Sequence, residues 1–106
     1  MSSMKDRENA FENKFAHDGA LKFKAEARRN KLLGLWAAEL LGKSGEEAEA
    51  YAKAVVIADF EEAGDEDVFR KVRGDFDAAG VAQSDHQLRR KMDELMAVAV
   101  EQIQNS

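Results

Sequence analysis

The chain has 106 residues, 44% hydrophobic and 35% charged, with no cysteine, no proline and a formal net charge of -5. That is enough for one domain around one modest core, and the apolar fraction is too high for a disordered chain. Without cysteine there is neither a disulfide framework nor a thiolate metal site, so the cytoplasm is the expected compartment.

The N-terminus lacks the apolar core of a signal peptide. The longest nearly unbroken apolar run, Leu32 to Leu41, is too short to span a bilayer. Charge is unevenly spread. Residues 1–19 sum to -1, residues 20–31 to +4 and the remaining 75 residues to -8. A short basic belt therefore adjoins an acidic body, which reads either as a solvated helix face or as a strip that contacts an anion or another subunit.

Residues 1–19 form an N-terminal arm, expected to be flexible or transiently helical. Its sequence DRENAFENKFAHD places Phe11 and Phe15 four apart among charged residues, on one helical face with Met4. Burying the two rings yields about 1.5 to 3 kcal/mol each, whereas fixing the backbone costs about 1 to 2 kcal/mol per residue. Isolated helices of this length are marginal in water. One reading is an arm that folds on a partner, with the two rings as groove anchors. The other is an ordinary first helix laid on the body, which Gly19 does not forbid.

Residues 20–106 are expected to form a small all-α four-helix bundle, with helices at about 20–41, 45–63, 66–79 and 85–103. The first is apolar nearly all round from Leu32 to Leu41, as suits a central helix touched by the other three. Trp36 should be largely buried there, and Gly34 is best explained by a close helix neighbour. Gly42, Gly64 and Gly80 each follow an apolar helical pattern, where a left-handed residue commonly ends a helix.

The second helix should start at a capping box formed by Ser44 and Glu47, and it carries Tyr51, Val55, Val56, Phe60 and Ala63 at helical spacing. Asp65 should cap the third, with Glu66 and Asp67 at the positive end of its dipole and Phe69, Val72, Phe76 and Ala79 as its apolar face. Ser84 and Gln87 make a capping box for the fourth, whose stripe is Leu88, Met92, Leu95, Ala99 and Ile103. Linkers of a few residues make consecutive helices antiparallel neighbours.

Catalytic and metal chemistry find little support. The stretch ADFEEAGDED has the outline of a calcium loop, but Ala63 takes the fifth position and Arg70 the twelfth, where a bidentate glutamate belongs. His17 and His86 are outside zinc or di-iron spacing and read as solvated histidines. Ser44 and Ser84 are better used as helix caps than as nucleophiles. Adjacent carboxylates such as Glu61 and Glu62 read as an exposed face, and no glycine-rich phosphate loop occurs. No metal and no obligatory cofactor is expected, and the chain does not read as an enzyme. Residues 66–91 can be drawn as a helix-turn-helix presenting Gln87, Arg89, Arg90 and Lys91, but Glu66, Asp67, Asp75, Asp77 and Asp85 in the same segment would repel phosphates. No nucleic-acid partner is expected.

The strings DRENAFENKFAHD, KAEARRNKLLGLWAAELLG, VIADFEEAGDEDV and RRKMDEL, in this order and covering nearly the entire chain, resemble the zeta subunit family of inhibitors of the bacterial F-type ATP synthase. The resemblance implies a four-helix body and an N-terminal segment that inserts at a catalytic interface between alpha and beta subunits, near gamma, and blocks ATP hydrolysis. It also implies a location peripheral to the inner membrane while bound. Mapped onto this sequence, the inhibitory stretch comprises Asp6, Arg7, Glu8, Phe11, Glu12, Lys14, Phe15, His17 and Asp18. The competing reading is a helical ligand-binding module that holds a nucleotide or phosphate weakly on Lys22, Lys24, Arg28, Arg29 and Lys31.

Overall fold

The structure, a computed structural model, describes residues 19–60 and 65–105. Its helices are α1 (Gly19–Leu40), α2 (Gly45–Ala58), α3 (Glu66–Ala79) and α4 (Asp85–Gln104). The described residues are an all-α four-helix bundle, as the apolar periodicity requires. The arm from Met1 to Asp18 lies outside the described residues. Gly19, assigned to the arm on sequence, is already the first residue of α1.

Helix α1 packs most extensively against α2 and α4 and only slightly against α3. The core unites Leu33, Ala37 and Ala38 of α1 with Tyr51 and Val55 of α2, Val68, Val72 and Phe76 of α3, and Leu88 and Met92 of α4. As expected of a central helix, α1 touches the other three, but the expectation that Trp36 is largely buried is corrected, because the burial of α1 is uneven. Leu33, Ala37 and Ala38 are buried, Leu32, Leu35, Trp36 and Leu41 only partly so, and Leu40 is exposed. With little of α3 lying against it, α1 keeps one face near solvent. Trp36 is accordingly half-buried, edge-on to Phe76 with ring centroids 5.7 Å apart and with Lys91 Nζ 5.5 Å from its own centroid.

Gly34 permits the α1–α2 approach, because a β-carbon there would lie 2.5 Å from Ala52 Cα. Two glycines end helices as expected. At Gly42 (φ +78°) the Gly42 N–H donates to Glu39 O and the Lys43 N–H to Ala38 O, at 3.2 and 2.8 Å. At Gly80 (φ +72°) the same pair of bonds runs from Gly80 to Asp77 and from Val81 to Phe76, satisfying carbonyls that no intrahelical donor reaches.

The starts of the helices divide. The Ser84 capping box forms: its hydroxyl accepts from the Gln87 N–H at 3.1 Å, while Gln87 Oε1 accepts from the Ser84 N–H at 2.8 Å. Ser44 makes no such cap. Gly45 takes a left-handed φ of +57°, and the Glu47 N–H meets the Ser44 carbonyl, not its hydroxyl, at 3.2 Å. Asp65 does not cap α3 either. Its carboxylate turns to Arg29, and the buried Asp67 Oδ1 instead accepts from the Val68 N–H at 2.8 Å.

Helix α2 stops at Ala58, short of the expected end at residue 63, which lies outside the described residues. The Asp59 and Phe60 N–H groups bond three residues back, to Val56 O and Ile57 O, the tightened pattern of a helix terminus. Phe60, placed on the buried stripe by its spacing, is 65% exposed as a result. The α3–α4 turn is held by Arg73, whose guanidinium donates to Asp77, to Asp85 and to the Gln83 carbonyl. Its guanidinium is held above its ordinary pKa, first by the Asp77 hydrogen bond.

Candidate functional site

The basic belt of residues 20–31 folds into the first half of α1, and the helix sorts it by angle. Arg29 turns inward and is 1% exposed. Its Nη2 donates to Asp65 Oδ1 at 2.8 Å and its Nε to Asn30 Oδ1 at 2.7 Å. A buried guanidinium demands such partners, so Arg29 ties α1 to the entry of α3 and is not offered to a ligand. Lys22, Lys24, Arg28 and Lys31 remain exposed.

The same lock perturbs two carboxylates in opposite directions. The hydrogen bond from Arg29 holds Asp65 below the usual carboxylate range. Asp59 is pushed up, first by burial, with Asp67 adding to the rise while Asn30 and Arg29 oppose it. Asn30 Nδ2, itself buried, stands close enough to Asp59 to favour its charged form but falls short of a full hydrogen bond.

Lys24, Arg28 and Lys31 recur at four and three, so one side of α1 presents all three to a single groove. The groove has a volume of about 670 Å³ and is lined also by Leu21, Phe23 and Ala27 of α1, Val56 of α2 and Ile103 of α4. Arg28 Nη1 donates to Gln102 Oε1 at 3.1 Å, which fixes the cation across the α1–α4 seam. A smaller depression of about 410 Å³ adjoins it, sharing Lys31 and Val56 and adding Lys53 and Glu49. The arrangement is an apolar floor with a cationic rim, suited to an anionic amphiphilic guest. Lys22 does not line it; its charge helps to lower the Asp65 pKa instead.

Phe23 stacks on Phe60, with ring centroids 6.0 Å apart and planes at 30°, yet the two rings are 53% and 65% exposed. Ile57 is exposed beside Phe60 in sequence. Helical spacing puts Phe60 on the buried stripe of α2 and gives Phe23 no role, whereas the fold exposes both rings. The available signal was Phe23 itself, a large apolar side chain set between Lys22 and Lys24.

The candidate inhibitory residues Asp6, Arg7, Glu8, Phe11, Glu12, Lys14, Phe15, His17 and Asp18 lie outside the described residues. Among the described residues, no group of three or more His, Asp or Glu side chains could hold a metal ion. His86 is exposed. The helix-turn-helix reading loses most of its contacts to the fold. Gln87 serves the cap, Arg89 pairs with Glu66 at 2.7 Å while lying 3.8 Å from the Phe69 centroid, and Lys91 pairs with Glu94 at 3.3 Å. No described helix is long and apolar enough to cross a membrane.

Fold and groove together define a class: a small all-α four-helix body whose distinctive surface is a cation-rimmed apolar groove at the start of α1. The chain belongs to the ATPase inhibitor subunit zeta family, whose model matches residues 1–102. A protein solved by solution NMR is similar, at 60% identity with a TM-score of 0.72, covering 80% of this chain and 96% of its own. No curated protein matches the chain. A family of inhibitor subunits is one of regulators, and the chain is accordingly assigned an ATPase-inhibitor role.

Proposed function

We propose that this chain inhibits ATP hydrolysis by the bacterial F-type ATP synthase, with its N-terminal segment inserting at a catalytic alpha/beta interface near gamma. The observation that carries the reading is the family match, which runs through arm and body together from residue 1 to residue 102. Phe11 and Phe15 act as anchors in partner pockets, where aromatic side chains commonly carry a large share of the binding energy. Asp6, Arg7, Glu8, Glu12, Lys14, His17 and Asp18 form the polar rim. The body holds the arm's root at Gly19, and in this reading the protein is cytoplasmic, at the inner membrane only through the ATP synthase.

The test is ATP hydrolysis by a cognate catalytic head with full-length protein and with protein lacking residues 1–18. The full chain suppresses hydrolysis, while the truncated chain keeps its helical content and cooperative melting and does not suppress it. Equal inhibition by both forms would move the inhibitory site to the body.

A second reading is favoured by the convergence of Lys24, Arg28 and Lys31 on one groove with an apolar floor: weak binding of a nucleotide or other phosphate. Titration with inorganic phosphate or ADP, followed residue by residue in NMR spectra, would give saturable shifts at these three residues. Arg29, buried against Asp65, would not be part of that site.

A further inference from the structure

We propose that the basic groove at the start of α1 is the resting place of the chain's own N-terminal arm, and that the arm must leave it to inhibit. The regulatory half of this statement rests on the inhibitory function proposed above; the docking half does not.

Three observations lead to this occupant. The first is position, because the groove begins at Leu21, two residues beyond Gly19 where α1 starts. Residues 16–18 are enough for the two-to-five-residue connection of an antiparallel helix pair. The groove wall on α1 runs from Leu21 to Lys31, about 15 Å of helix at 1.5 Å per residue. Residues 5–15, drawn as a helix, have the same length and would lay Phe15 near Leu21 and Phe11 one turn further on.

The second is chemistry. On a helical projection of residues 5–15 Phe11 and Phe15 share their face with Glu8, with Glu12 along the same flank and Arg7 and Lys14 along the opposite flank. An apolar pair with the acidic flank of Glu8 and Glu12 is the complement of an apolar floor rimmed on α1 by Lys24, Arg28 and Lys31. The third is tethering. A segment joined by a short linker faces its site at an effective concentration of order millimolar, so even a modest contact would be populated ahead of a free partner or a second copy.

The consequence is competition for one pair of rings. Phe11 and Phe15 cannot fill the groove and a pocket of the catalytic head at once, and the apparent affinity for the head falls by the fraction of molecules whose arm is free. Weakening the groove should therefore strengthen inhibition, the reverse of what loss of a head-binding surface would do.

The chain has no cysteine, so Ala10→Cys carries a single nitroxide label. In the otherwise full-length protein, paramagnetic broadening is expected at the amides of Lys31, Val56 and Ile103, and it should vanish when Phe11→Ala and Phe15→Ala are added. Broadening confined to the first turn of α1 would overturn the docking. So would broadening seen when labelled protein is mixed with an unlabelled isotope-enriched copy, because the guest would then be a second molecule. For regulation, Lys24→Glu with Lys31→Glu should lower the concentration for half-inhibition by about threefold or more. Unchanged or weaker inhibition by that variant would overturn the regulatory half. If full-length protein shows the broadening but does not inhibit, the proposed function fails while the docking stands.

Discussion

Gly34 and Ala52 meet so closely that a β-carbon added at Gly34 would lie 2.5 Å from Ala52 Cα and 3.0 Å from Ala52 Cβ. The obstacle is partly backbone, which cannot rotate aside as the end of a flexible side chain would. Gly34→Ala should gain about 1 kcal/mol of helix propensity and lose more by forcing α1 and α2 apart, since overpacking costs about 1 to 3 kcal/mol. A net loss is expected, read as a lower denaturation midpoint in urea.

The same substitution at Gly74 should have the opposite sign. Gly74 lies inside α3, is exposed, and a β-carbon there would meet nothing within 4 Å. Gly74→Ala should stabilise by about 0.5 to 1 kcal/mol. A pair of midpoints that moved in the same direction would contradict the packing assigned to Gly34.

Gly34 was legible in the sequence because a glycine inside an apolar helical run calls for a close neighbour. Gly42 and Gly80 were legible for a similar reason, as the end of a helix needs a left-handed residue. Ser84 and Ser44 carry the same spacing to a glutamine or glutamate, yet only Ser84 caps. The difference is Gly45, whose positive φ changes how the chain enters α2; the local signal is the glycine itself, directly after Ser44, where α4 has Asp85. Asp65 shows a limit at longer range, since the side chain that draws it away, Arg29, lies 36 residues earlier. The groove was half visible. Composition marked the cations, but only the fold separates the buried Arg29 from Lys24, Arg28 and Lys31 and sets Val56 and Ile103 beside them.

The Arg29 lock makes a prediction in pH. Asp65 has a folded pKa below its unfolded value, so its contribution to stability is present above the ordinary carboxylate pKa and is lost as pH falls through the folded value. Asp65→Asn should cost about 1 to 2 kcal/mol at neutral pH, a charged hydrogen bond discounted for the solvent reaching Asp65, and little at pH values below both pKa values. Asp59 is shifted the other way. Asp59→Asn should stabilise at neutral pH, with the gain shrinking as acid protonates the wild-type carboxyl. Thermal melts of both variants from neutral to acidic pH test this, and parallel profiles would refute it.

Tyr51 is the only tyrosine in the chain, so phenolate absorbance reads it alone. Its hydroxyl donates to Asp75 Oδ2 at 2.7 Å, and burial, reinforced by that carboxylate, drives its pKa far above the ordinary tyrosine value. A group with a raised folded pKa stabilises fully below its unfolded pKa, near 10, and loses that contribution as pH rises further. Absorbance should therefore stay flat through pH 10 and rise only as the helical signal is lost. A titration near pH 10 with the helices intact would show that Tyr51 is solvated.

For the arm, rings and charges should separate by magnitude and by salt. Phe11→Ala with Phe15→Ala removes the proposed anchors, and truncating anchors of this kind often costs more than about 1 to 2 kcal/mol each, so the concentration for half-inhibition of ATP hydrolysis should rise by at least about tenfold. Any release of the arm from its own groove by the same change works against that rise and makes the observed figure a lower bound. Reversing Glu12 or Lys14 alters only the solvated rim, where a charge contributes modestly and is screened within about 8 Å at physiological ionic strength. Its effect should be several times smaller and should fade as salt is added, whereas the phenylalanine effect should persist. Inhibition that survives loss of both rings but collapses in high salt would mean that charge, not ring burial, holds the arm on the catalytic head.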